Sequence, residues 1–189
     1  MPYRKVEFRA GEHYHLYNRG VNHHPIFFER ENYSYFLKDW RRFVTDNAIG
    51  IVAYCLMPNH YHLLVKLGTD VPSQVLQPFL LSYCKSVNRR YARVGPLFQG
   101  PFQAVLVDRD EYLLHLSRYI HLNPVAARLV KHAGDWEFSS YREYIGLRAG
   151  TLPHPEIVLS QFASRDEYRS FVEGDVAEVD EPIAHLLFD

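Results

Sequence analysis

The sequence predicts an α+β fold: a ferredoxin-like split β-α-β-β-α-β antiparallel sheet with a further C-terminal helix added. Three observations carry that expectation. Four runs of strand length, at about 13–19, 50–57, 60–67 and 102–107, alternate with stretches of helical spacing in the order strand, helix, strand, strand, helix, strand. Only Pro58-Asn59 separates the second run from the third, a gap that suits a tight hairpin turn. The chain has 189 residues, a length that fits one domain with a small appendage.

Each element has its own reason. "HYHLYNRG" is rich in strand-forming residues and closes on Gly20, so the first strand spans 13–19. Over 31–47, Tyr33, Phe36, Leu37, Trp40, Phe43 and Val44 fall on one helical stripe. "GIVAYCLM" is continuously apolar, which marks a buried strand at 50–57, and "HYHLLVKL" is its hairpin partner. Leu76, Phe79, Leu80, Tyr83, Val87 and Tyr91 give a long helix over 73–93. "VGPLFQGP" is a loop and "FQAVLV" the fourth strand. Asp110 is placed to cap the helix "EYLLHLSRYIHLN" that Pro124 ends or redirects, with a shorter helix from about 124 to 132. The serines of "SSYREYIG" can cap one more short turn. Two crossover helices cover one sheet face, and the helix at 110–122 is expected on the other. Strands one and three are expected to be neighbours running parallel, with both "HYHL" tetrapeptides (13–16 and 60–63) starting near one sheet edge.

Residues 1–149 form the expected catalytic body. Residues 150–189 form an acidic helical tail, entered through "TLPHP" and holding amphipathic pieces at 155–162 and 165–173. The charge is split in the same way. Residues 1–149 hold 19 Lys+Arg against 13 Asp+Glu, a balance of +6, and residues 150–189 hold 2 against 9, a balance of -7. A basic body with an acidic tail makes nucleic acid a natural partner for the body. No apolar run approaches the roughly 20 residues of a membrane helix, and "MPYRKVEFRAGE" lacks the apolar segment of a secretory signal. Cys55 and Cys84 do not stand in a zinc spacing and fit a reduced, cytoplasmic protein.

The residues able to do chemistry are few. Side chains alternate along a strand, so His60 and His62 point to one face, close enough to share a metal ion. Such a pair alone is weak support in a chain with 11 histidines. Tyr119 and Asn123, in "RYIHLNP", are four residues apart and share a helical face, with His115 one turn earlier. An asparagine amide oxygen is a hard ligand suited to Mg²⁺ or Mn²⁺ beside imidazole nitrogens. A tyrosine is a possible covalent nucleophile, although a phenol of pKa near ~10 needs help to ionise at neutral pH.

"AYCLMPNHYHLLV", followed by "SRYIHLNPVAARLV" and "WEFSSYREYIG", resembles the single-tyrosine HUH transposases, where HUH denotes His, hydrophobic residue, His. Nearer still is the resemblance to the REP-associated tyrosine transposases, relatives of the transposases of single-strand insertion sequences. "YHLYNRGVNHHPIFF" and "GPLFQGPFQAVLVD" share it, and it covers roughly residues 13–147. The resemblance implies that His60 and His62 bind a divalent ion, Mg²⁺ or Mn²⁺, with Asn123 as third ligand, and that Tyr119 is the nucleophile. It implies cleavage of single-stranded DNA at a hairpin-marked site through a 5′-phosphotyrosine link, by a monomer or a homodimer. His15 and His115 are expected to support the site, and His13 to be exposed. Lys85, Arg89, Arg90 and Arg93 cluster late on the second helix, Arg41 and Arg42 form another basic pair, and Arg19 lies by a turn at the end of a central strand; these are the candidate DNA contacts. The rival reading is a non-catalytic RNA-recognition-like module that stacks single-stranded nucleic acid on its open sheet. A water-using nuclease is a second rival and would not need Tyr119.

Overall fold

The computed structural model describes residues 6–44 and 48–174. Thr45 to Asn47, at the end of the expected first helix, and the acidic stretch after Gly174 lie outside the described residues. The strands are β1 (His13–Arg19), β2 (Ile49–Met57), β3 (His60–Leu67) and β4 (Gln103–Val107). The helices are α1 (Arg30–Phe43), α2 (Ser73–Arg90), α3 (Asp110–Ala126), α4 (Tyr141–Tyr144), α5 (Glu156–Leu159) and α6 (Arg165–Glu173). They build a mixed α+β fold around one antiparallel sheet of order β2-β3-β1-β4. None of the described helices is long and apolar enough to cross a membrane.

The expected parallel pairing of β1 and β3 is corrected: they run antiparallel, from His13 opposite Lys66 to Arg19 opposite His60. The reason is topological. Crossover α1 returns the chain so that β2 runs in the direction of β1. The two-residue turn then reverses it, and β3, inserted between them, opposes both. The two tetrapeptides therefore begin at opposite ends of the sheet.

Alternation divides the sheet residues between two cores. Tyr14, Leu16, Tyr61, Leu63 and Val65 face α1 and α2, where they join Phe36, Trp40, Phe79 and Tyr83. Cys55, Met57, Leu64 and Val107 face α3 and join Leu113, Leu116 and Ile120. A bulge at Ile51–Ala53 lets Val52 and Ala53 both face the α3 side, while Ile51 and Tyr54 face the other. Burying a side chain such as Leu116 or Ile120 stabilises by about 1.5–3 kcal/mol, against about 1 kcal/mol for a typical hydrogen bond. Apolar burial thus docks α3, and hydrogen bonds fix its rotation.

Helix α3 departs from expectation at both ends. Its N-cap is Arg109 rather than Asp110, and it passes through Pro124 to Ala126. Proline lacks a donor N–H but its φ is compatible with a helix, so the last turn still closes through the Ala127 N–H to the Asn123 carbonyl. Arg128 then takes φ 57, and the Leu129 N–H reaches the Pro124 carbonyl. That left-handed cap replaces the helix expected from 124 to 132. Helix α2 stops at Arg90 rather than 93, where Ala92 turns left-handed with φ 48. Two segments cover the outer edge of β2: Phe138 and Ser140 bond to Leu56 and Tyr54, and His154 donates to the Ile51 carbonyl. Arg148 secures the first of them through the Glu137 and Ser139 carbonyls. Both cysteines are free thiols, Cys55 buried and Cys84 half-buried.

Candidate active site

His60 follows the Pro58-Asn59 turn directly, so alternation sends His60 and His62 to the α3 side of β3. Helix α3 crosses above them and presents Tyr119 and Asn123, one turn apart. The His60 Nε2 lies 3.2 Å from the Asn123 Oδ1, and the Asn123 Nδ2 lies 3.4 Å from the His62 Nε2. The two imidazole centres are 5.0 Å apart and nearly perpendicular. The Tyr119 ring meets that of His62 edge to face at 5.4 Å. The structure thus brings together four side chains drawn from one strand and one helix.

Proton bookkeeping tests whether this group fits a cation. The Asn59 Nδ2 donates to the His23 carbonyl, which turns the Asn59 Oδ1 toward the His60 Nδ1 at 2.6 Å. An amide oxygen only accepts, so the His60 Nδ1 carries the hydrogen and its Nε2 is a bare lone pair. That lone pair then faces another acceptor, the Asn123 oxygen. Rotating the Asn123 amide pairs its Nδ2 with the His60 Nε2 and turns its oxygen to the His62 Nε2, an arrangement that suits either a hydrogen on that nitrogen or a cation between them. Burial, chiefly, holds His60 below the usual histidine range, with Arg19 and His23 adding to the effect and Asn123 opposing it. Burial likewise pushes His62 well down, helped by His15 and His60. Both rings are therefore neutral at pH 7, and two imidazole nitrogens converge with an amide oxygen. Neutral imidazole nitrogens beside a hard amide oxygen are a donor set suited to a divalent cation, so the residues fit one. Among the described residues no three His, Cys, Asp or Glu side chains gather as a metal cluster, because here the third donor is an amide.

Residues beside Tyr119 pin the helix. The His121 Nδ1 and Nε2 each lie 2.8 Å from a hydroxyl, of Tyr168 and Ser140 respectively, and the Tyr168 hydroxyl is 3.1 Å from the Ser117 Oγ. Buried Arg118 donates to the Val172 and Gly174 carbonyls. Sequence reasoning missed both His121 and Arg118, which point away from the Tyr119 face.

Of the other candidates, His15 and Arg19 lie beside the histidine pair and the rest are dispersed. His15 is fully buried behind His62. His115 turns toward Phe171 of α6, 5.7 Å between rings, and its Nδ1 is enclosed without a partner. His13, expected to be exposed, is half-buried with its Nε2 enclosed. Arg19 sits opposite His60 and donates to the Gln99 side chain. Lys85 and Arg89 are exposed on α2. Arg90 forms an ion pair with Glu29, and Arg93 lies over the Phe28 ring. Arg41 approaches Thr151, and Arg42 approaches Asp39. A groove of about 500 Å³ opens between α2 and residues 95–102, with Lys85, Phe98 and Phe102 among its walls.

Comparison with known proteins gives this geometry a family. The model of the IS200-like transposases matches residues 10–123, from just before β1 to Asn123. The chain belongs to that family. Over 104 residues it is 28% identical to a Haemophilus influenzae protein provisionally named REP-associated tyrosine transposase. That stretch is 48% of this chain and 57% of the relative, so the IS200-like chain spans just over half the length of the curated protein it matches. A solved structure described as a REP-associated tyrosine transposase bound to a REP hairpin superposes with a TM-score of 0.63 at 20% identity. The likeness covers 80% of this chain and 93% of the other, and shows that the two share a fold.

Proposed function

We propose that this IS200-like chain is a divalent-metal-dependent single-stranded DNA endonuclease and strand transferase that works through a 5′-phosphotyrosine intermediate at hairpin-marked sites. The observation that carries the reading is the convergence of the His60, His62 and Asn123 donors beside the Tyr119 ring. Residues 1–149 hold all four side chains and form the catalytic unit, and residues 150–174 brace it. The REP hairpin held by the structural relative supports hairpin DNA as the substrate class.

His60, His62 and Asn123 would hold Mg²⁺ or Mn²⁺, and a bound cation supplies a Lewis acid that draws charge from the scissile phosphate. The chain's own groups do the rest. Asn59 keeps the His60 Nε2 unprotonated. Arg19 adds positive charge at the His60 end of β1. The Tyr119 oxygen attacks phosphorus and loses its proton. The bond from phosphorus to the 3′ oxygen breaks, and that oxygen leaves as a 3′-hydroxyl after taking up a proton. The phosphotyrosine keeps the energy of the broken bond, so a second 3′-hydroxyl can reverse the step and join new strands. An RNA-recognition-like binder would leave the converging donors without a role.

The test is to incubate the protein with Mn²⁺ and a single-stranded hairpin oligonucleotide and resolve the products on a denaturing gel. A covalent adduct is expected, lost with chelator and in Tyr119→Phe. Cleavage that survives Tyr119→Phe would indicate hydrolysis by water instead.

A further inference from the structure

The two His-Tyr-His-Leu tetrapeptides meet inside the molecule. In the antiparallel register His15 stands opposite Leu64, which makes His62 its diagonal neighbour on the same sheet face. The His15 Nε2 lies 3.0 Å from the His62 Nδ1, both residues are 0% exposed, and the rings stack at 5.1 Å. We propose that His15 is the positioning residue of the site: its Nε2 accepts the Nδ1–H of His62 and so keeps the His62 Nε2 lone pair aimed at Asn123. The inference rests on the reading of His60, His62 and Asn123 as cation ligands.

The physical argument is one of tautomers. A neutral imidazole has one N–H, which can sit on either nitrogen. If His62 carries it on Nδ1, its Nε2 is a ligand. If His15 instead donates to the His62 Nδ1, the His62 hydrogen moves to Nε2 and blocks a cation. The pair is sealed from solvent, so the proton on one ring dictates the proton on the other. The wiring matches that of His60, where the Asn59 oxygen takes the Nδ1–H. Both ligands thus have an outer acceptor that sets the tautomer, as ligating histidines generally do. Here both acceptors are neutral, so neither reduces the positive charge a bound cation offers to a phosphate. The first tetrapeptide supplies the support and the second the ligand.

The experiment combines nitrogen-15 spectra of histidine-labelled, metal-free protein with Mn²⁺ titration calorimetry. In the wild type, His62 should carry its hydrogen on Nδ1, and Mn²⁺ binding should be lost in His60→Ala and His62→Ala. His15→Leu should weaken Mn²⁺ binding by about 10- to 100-fold and release the His62 hydrogen to Nε2. His15→Gln, whose amide oxygen can replace the accepting nitrogen, should restore both. Mn²⁺ binding that is absent, or indifferent to His60 and His62, would sink the ligand reading and this proposal with it. Binding that needs both histidines but is unchanged in His15→Leu would overturn the positioning role alone. So would equal losses in the Leu and Gln variants, or a wild-type His62 protonated on Nε2.

Discussion

Asn123 stands one turn after Tyr119 and contributes the only oxygen to the donor set. It is half-buried at the helix surface, so removing its amide should cost affinity rather than fold. Losing one donor worth about 1.4 kcal/mol or more weakens binding by tenfold or more. Asn123→Ala is therefore expected to reduce Mn²⁺ affinity at least that much in a calorimetric titration while the far-ultraviolet spectrum stays that of the wild type. Unchanged affinity would remove Asn123 from the ligands. Period alone made two pairings legible, since alternation aligns His60 with His62 and helical spacing aligns Tyr119 with Asn123, but it was the resemblance to the single-tyrosine transposases that singled out these four residues. Asn59 was legible only as half of a turn. Its second task depends on an amide orientation fixed by the His23 carbonyl, which no spacing reports.

At the scale of elements, α3 and its bracing by α4 and α6 decide where Tyr119 sits. The brace centres on His121, fully buried between the Tyr168 and Ser140 hydroxyls. Burial lowers its pKa from 6.5 to about 3. The folded value lies below the unfolded one, so the unfolded chain binds the proton first. The stability is whole above pH about 6.5 and is lost as pH falls toward about 3, by about 1.4 kcal/mol for each pH unit in that window. Urea unfolding in the presence of chelator should show the wild type losing about 1.4 kcal/mol more than His121→Gln between pH 7.5 and 5.5. Equal losses would mean that His121 is not held neutral. Element order and most boundaries could be read from periodicity. The pairing sense of β1 and β3 required following chain direction through the crossover, and the passage of α3 through Pro124 required a capping geometry that composition does not reveal. His121 was missed because it sits two residues from Tyr119, on the far side of the helix.

At the scale of the whole molecule, one chain contains every proposed catalytic group, and α3 lies over the sheet that carries its own His60 and His62. Residues 164–174 hold it there, through the Ser164 cap of α6, Tyr168, and the carbonyls that receive Arg118. The sequence placed this region in an acidic tail because residues 150–189 together carry a balance of -7, although residues 164–174 hold both of that tail's arginines and the buried Tyr168 and Val172. For the proposed function, α3 packed on its own sheet predicts that Tyr119 acts in cis. Mixing equimolar His62→Ala and Tyr119→Phe proteins should yield no adduct, whereas exchange of α3 between subunits would restore one. The central claim is that Tyr119 itself takes up the DNA. Its most direct measurement is mass-spectrometric mapping of the peptide linked to a cleaved hairpin oligonucleotide. The prediction is a 5′-phosphate esterified to the Tyr119 oxygen, and linkage at another residue, or a free 5′-phosphate with no linked peptide, would contradict it.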